Sequence, residues 1–193
     1  MLNSTWIDTL IPAASGLVGV AIGGWLTALN QKRERREAHI KNQLSALYSP
    51  LVGIRSQIKA KSEVRLRLTN LANASWHEKF AGIEDPARKK QIIGKDRPDY
   101  DKLQNYNNRQ QVEEIVPLYR KMLAIFTDNM WLAEPSTRSH YAALVEFVET
   151  WNRLLAQSLP PELWRGIEHK EETLEPLYAD LEHHLSELSK RLH

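Results

Sequence analysis

Residues 40–58, IKNQLSALYSPLVGIRSQI, place Ile40, Leu44, Leu47, Leu51, Ile54 and Ile58 at successive spacings of 4, 3, 4, 3 and 4. That period keeps all six side chains on one stripe of a helix, so the segment reads as the seam of a helical bundle. Pro50 falls inside the seam. Proline lacks an N–H and its ring crowds the preceding turn, so the helix is expected to kink there or to restart with Ser49 as its cap.

Downstream the same period returns three times. Val112, Ile115, Val116, Tyr119, Met122, Leu123 and Phe126 form one broad face, with Pro117 expected to bend it. Tyr141, Leu144, Val148, Trp151 and Leu155 come next, with Ser136 as the expected cap and Pro160–Pro161 as the stop. Leu174, Tyr178, Leu181, Leu185, Leu188 and Leu192 close the series after a short turn around 163–167. Gly82, Pro86, Gly94 and Pro98 punctuate residues 81–100, which therefore read as an exposed loop. No segment alternates with a period of two, so the fold class is all-α: an antiparallel bundle of about four long helices over residues 32–193.

Upstream of the seam the chemistry changes. No charged residue occurs from Thr9 to Gln31, and residues 10–29 are almost entirely Leu, Ile, Val, Ala, Gly and Trp. About 20 helical residues span roughly 30 Å, the thickness of a bilayer core. Residues 1–31 therefore read as an N-terminal transmembrane anchor. A cleaved signal peptide would carry its basic residues ahead of the apolar run, whereas here Lys32, Arg33, Arg35 and Arg36 come after it. That basic flank sets the N-terminus outside and the rest of the chain in the cytoplasm, with the four cations at the lipid headgroups. Ser15, Gly19, Gly23 and Thr27 recur every fourth residue, a small-residue row that lets two membrane helices approach.

The whole-chain charge of +2 hides an asymmetry. Ten Lys and Arg lie between Lys32 and Arg67 against Glu34, Glu37 and Glu63, whereas residues 160–193 carry four basic and eight acidic side chains. Arg36 to Arg55 adds roughly 28 Å along a straight helix, so Arg55, Lys59, Lys61, Arg65 and Arg67 lie beyond the reach of headgroups. This second cluster reads either as a solvated face neutralised by neighbouring helices or as a surface for a cytoplasmic protein or an anionic ligand. Nucleic acid is disfavoured, because no recognisable reading helix accompanies the charge.

Chemistry-bearing motifs are absent. The chain has no cysteine, no Walker loop, no dinucleotide fingerprint and no Gly-x-Ser-x-Gly elbow. Asp180 and His183, with His184 beside them, give one half of a carboxylate-bundle metal motif where two are needed. No catalytic residue, metal ligand or cofactor is therefore assigned, and the chain reads as a non-enzyme.

Five stretches carry a resemblance: Leu10-Ile-Pro-Ala-Ala with the subsequent Gly-Val-Ala-Ile-Gly-Gly, Leu47-Tyr-Ser-Pro-Leu, Lys61-Ser-Glu, Met130-Trp-Leu-Ala-Glu-Pro-Ser-Thr-Arg, and Leu144-Val-Glu-Phe-Val-Glu. Together they resemble a family of uncharacterised bacterial membrane-anchored helical proteins. The resemblance spans nearly the whole chain and implies the bacterial inner membrane, with no activity attached. The expectation is a single-pass scaffold or adaptor, self-associating or joining a partner membrane protein through its membrane helix. The alternative is an oligomeric membrane effector or channel component. A pore is the weaker of the two, because Ser15 and Thr27 are the only hydroxyls well inside the span.

Overall fold

Leu47, Leu51 and Ile58 of the heptad seam have no solvent exposure, and Ile40 and Ile54 have 5% each. The computed structural model describes residues 24–25, 27–158, 160, 162 and 170–192, and among them every regular element is helical, with no strand. Helix α1 covers 27–42 and passes through a π-helical segment, Gln43–Tyr48, into α2, Ser49–Phe80. α3 is Pro86–Gln110, and a second π segment, Gln111–Ile115, leads into α4, Val116–Asp128. A 3₁₀ turn at Met130–Leu132 precedes the short α5, Pro135–Ser139, and then α6, Tyr141–Leu155. Another 3₁₀ turn, Glu171–Leu174, opens α7, Glu175–Lys190.

The two π segments explain how proline is carried. Ser49 N–H donates to Leu44 O and Val116 N–H to Gln111 O, each reaching five residues back. The widened turn ends just before Pro50 and Pro117, where a normal turn would bring the ring against the carbonyl four residues earlier. Ser49 is accordingly not a cap: its φ of −64° and ψ of −43° are helical, and the chain runs through. Ser136 is not a cap either, since Glu134 holds the N-cap position of α5 and Ser136 lies within the helix.

Cross-contacts give the directions. Gln43 meets Leu132 and Lys61 meets Glu114, so α2 and α4 are antiparallel. Arg55 meets Glu175 while Tyr48 packs near His184, so α7 runs against α2. Tyr119 packs on Phe147 and Phe126 on Tyr141, which opposes α6 to α4. The fold is thus an all-helical antiparallel bundle, with its core built from 40–58, α4, α6 and α7. Phe147 and Leu177, outside the stripes read from the sequence, are buried as well.

A polar knot ties the 130s turn to the first helix. Gln43 is 4% exposed and donates through Nε2 to Leu132 O at 2.8 Å and to Glu134 Oε1 at 3.1 Å. Tyr48 Oη accepts from Glu134 N–H at 3.0 Å and lies 3.1 Å from Thr137 Oγ1. Thr137 in turn donates to Asp180. Buried polar atoms without partners are costly, so this network fixes which turn can sit over Tyr48.

The expected loop at 81–100 is corrected. Only residues 81–85 leave the helix, with Gly82 at φ +73° reversing the chain. Asp85 then caps α3 by accepting from Ala87 N–H at 2.9 Å, with Pro86 in the first turn. Pro98 sits inside the helix, with the i,i+3 and i,i+4 pairs Lys102–Asp99 and Arg97–Asp101 on the turns around it. Gly and Pro therefore mark a true turn at 82–86 and are absorbed at 94–98.

No helix among the described residues is long and apolar enough to cross a membrane. The proposed span, with Ser15, Gly19 and Gly23, lies outside the described residues, apart from 24–25 and 27–29.

Phe126→Ala should cost about 3–5 kcal/mol in urea unfolding, whereas Leu71→Ala, at an exposed α2 position, should stay within about 0.5 kcal/mol. Equal costs at the two sites would contradict the placement of the core.

Candidate functional site

Beyond Ile58, α2 leaves the core, and no later residue of it is buried. It pairs instead with α3 and the π segment that follows it through a ladder of side chains running antiparallel. Lys61 meets Glu114, Arg65 donates to Gln111, Asn107 Nδ2 donates to Thr69 Oγ1 at 3.2 Å, and Tyr100 Oη donates to Asn73 Oδ1 at 2.7 Å. Trp76 closes the distal end, with ring centroids 5.0 Å from Phe80 and 5.6 Å from Tyr100. From Lys61 to Phe80 this arm extends about 28 Å. Hydrogen bonds on so exposed a hairpin largely replace bonds to water, so the arm is a weakly stabilised projection from a well-packed bundle.

Where the arm leaves the bundle, a groove of about 650 Å³ opens. Its arm side is lined by Gln104, Asn107, Asn108 and Gln111, with Arg65 and Thr69 opposite them on α2. Its bundle side is aromatic, formed by Tyr119, Phe147 and Trp151, with Glu171 and Glu172 at the rim. Pockets that hold small ligands or peptide segments combine an apolar wall with a few placed polar groups in this size range.

The groove rests on a charged clasp. Arg55 bridges to Glu171 at 3.0 Å and to Glu175 at 3.3 Å, and its guanidinium lies 4.1 Å from the centroid of the Tyr178 ring. Tyr178 and Tyr119 are buried against each other and against Glu171, and burial pushes both phenols well above the ordinary range. Tyr48 is also raised by burial. The Lys61 ammonium holds the Glu114 carboxyl below its usual range through their hydrogen bond.

The five basic residues at 55–67 are thus split among three settings. Arg55 belongs to the clasp, Lys61 and Arg65 to the ladder, and Lys59 and Arg67 are exposed with no ion pair among the described residues. Lys32, Arg33, Arg35 and Arg36 are all exposed on α1, with Arg33 3.5 Å from Glu37, and Thr27 is exposed on the same helix.

Ser136, His184 and Asp180 come together, with Ser136 Oγ 2.9 Å and Asp180 Oδ1 3.5 Å from His184. Both approach Nε2. A relay needs the carboxylate on the other ring nitrogen, so the constellation is structural and pins α5 to α7. Among the described residues no group of three or more His, Asp or Glu is arranged to hold a metal.

Sequence reasoning assigned no role to the groove, yet one signal was present. Residues 103–111, LQNYNNRQQ, contain six side-chain amides in nine positions, far more than an ordinary solvated helix needs. No protein-family model, curated protein or solved structure matches the chain.

With folded-state pKa values raised, the three buried tyrosines stabilise the fold below the unfolded phenol value near 10 and lose that contribution as pH rises beyond it. Ultraviolet titration should leave Tyr48, Tyr119 and Tyr178 neutral until alkaline unfolding releases them together. Ionisation of all six tyrosines near pH 10 with the fold intact would contradict this.

Proposed function

We propose that the chain is a single-pass inner-membrane adaptor: residues 10–29 anchor it, and the helical bundle with its arm and groove receives a cytoplasmic protein. The observation that supports this most is α1. From Thr27 to His39 its side chains are exposed apart from the half-buried Glu37, and Ile40 is the first buried residue. Trp25, 64% exposed, and Leu29, 46% exposed, have no bundle surface over them. Large apolar side chains left uncovered ahead of a basic turn are what a helix emerging from lipid presents.

The resemblance to bacterial membrane-anchored helical proteins supports the same location. The small-residue row Ser15, Gly19, Gly23 and Thr27 is the basis for association within the bilayer. Lys32, Arg33, Arg35 and Arg36 would lie at anionic headgroups, each contributing on the order of 1 kcal/mol. The interaction surface is then the arm and groove, with Lys59 and Arg67 as exposed cations on α2.

Fractionation tests the reading. Full-length protein should pellet with membranes, resist alkaline carbonate extraction and dissolve in detergent, and its carboxyl-terminal tag should be protected from protease added to intact spheroplasts. Recovery in the supernatant without detergent, or digestion of that tag from outside, would overturn it.

A further inference from the structure

Gln104, Asn107 and Asn108 of α3 and Gln111 at the start of the following π segment stand at i, i+3, i+4 and i+7, and all four side-chain amides line the groove. Two of them are already oriented. Asn107 uses its NH₂ on Thr69 and so keeps its carbonyl oxygen for another donor. Gln111 uses its carbonyl on Arg65 and so keeps its NH₂ for another acceptor. A side-chain amide offers an N–H donor and a C=O acceptor together, as a peptide group does. Asn107 and Gln111 are separated by about 6 Å along the helix, close to the roughly 6.7 Å two-residue repeat of an extended chain.

The facing wall supplies a different recognition element. Tyr119 and Phe147 pack with centroids 4.7 Å apart and are only 3% and 4% exposed, so the ring that the groove reaches is chiefly that of half-buried Trp151. A flat apolar side chain fits there, since rings prefer offset or edge contacts with other rings. Charge narrows the occupant further. The groove and the hollow beside it carry Glu63, Glu171, Glu172 and Glu175 against Arg55, Lys59 and Arg65. The local balance is therefore acidic even though the chain as a whole is basic.

We propose that the groove binds an extended peptide segment of a partner protein, holding its main chain on the amide row, an aromatic side chain against Trp151, and a basic side chain at Glu172. The choice of a polypeptide occupant rests on the adaptor reading. A phosphate-bearing ligand is disfavoured by the carboxylates, and a carbohydrate is the competing class, because rings and amides also suit sugars.

Ligand-observed saturation-transfer NMR tests this on the full chain in zwitterionic detergent micelles, with empty micelles as the blank. The probes are acetylated, amidated pentapeptides of sequence Ala-Phe-Ala-Arg-Ala, Ala-Ala-Ala-Arg-Ala and Ala-Phe-Ala-Glu-Ala, together with maltotriose. The first should bind best, with strongest transfer to its phenyl ring. Asn108→Leu and Glu172→Lys, both at exposed positions, should each weaken it about tenfold, and Leu71→Ser should not. Equal binding of the three peptides, binding unchanged by Asn108→Leu, no binding at all, or maltotriose binding in place of peptide would each overturn the proposal. A chain that pellets with membranes but binds none of the peptides would remove this inference while leaving the adaptor reading intact.

Discussion

Burial of Leu47, Tyr48, Leu51, Ile54 and Ile58 in the middle of one uninterrupted run of helix is the constraint on which the other features depend. Residues on either side of that buried third cannot also be in the core, because a helix is straight on the scale of a small bundle. The N-terminal side must therefore emerge as the exposed α1, and the C-terminal side must emerge as the arm. The π segment at Gln43–Tyr48 keeps the run continuous, since it carries Pro50 without ending the helix. Had the chain broken at Pro50, α2 could have turned back over the bundle, and neither projection would exist.

The groove arises from the same geometry. α2 leaves the core at Ile58, while α3 returns along it and the chain re-enters the core only at Ile115. Between those points the arm diverges from α4 and α6, so the aromatic side of the bundle and the amide side of the arm face each other across open space. The Arg55 clasp stands at the base of this opening and joins α2 to the start of α7. Removing one partner of such a half-buried cluster would leave charge facing the two buried phenols, which explains why Arg55 is committed to the fold and not offered to solvent.

The bundle was legible in the sequence because core contacts repeat at helical spacing, and the stripes read at 40–58, 112–126, 141–155 and 174–192 supply most of the core, although Val112, at the end of its stripe, is 43% exposed and Leu155 stays outside the core. Phe147 and Leu177 were passed over because a helix packed between several neighbours buries more than a single heptad stripe. Gly94 and Pro98 misled because punctuation residues do not record whether a neighbouring helix will support the turn they weaken. The basic residues at 55–67 looked uniform along the chain, yet their partners lie 46 to 120 positions away, at Gln111, Glu114 and Glu175. Nothing local in the sequence could separate Arg55, held by α7, from Arg67, which has no ion pair among the described residues. The amide-rich stretch was visible as composition, but its meaning depends on which wall stands opposite.

The central claim is that α1 and α2 form one continuous helical rod running from the basic turn through the core to the arm. The chain contains no cysteine, so labels can be placed at will. Spin labels attached through Arg36→Cys and Glu78→Cys, read by double electron–electron resonance, should give a single narrow distribution at about 60 Å, the length of about 42 helical residues. A broad distribution, or a maximum below about 45 Å, would mean that the helix breaks or folds back at Pro50, and would contradict a continuous rod.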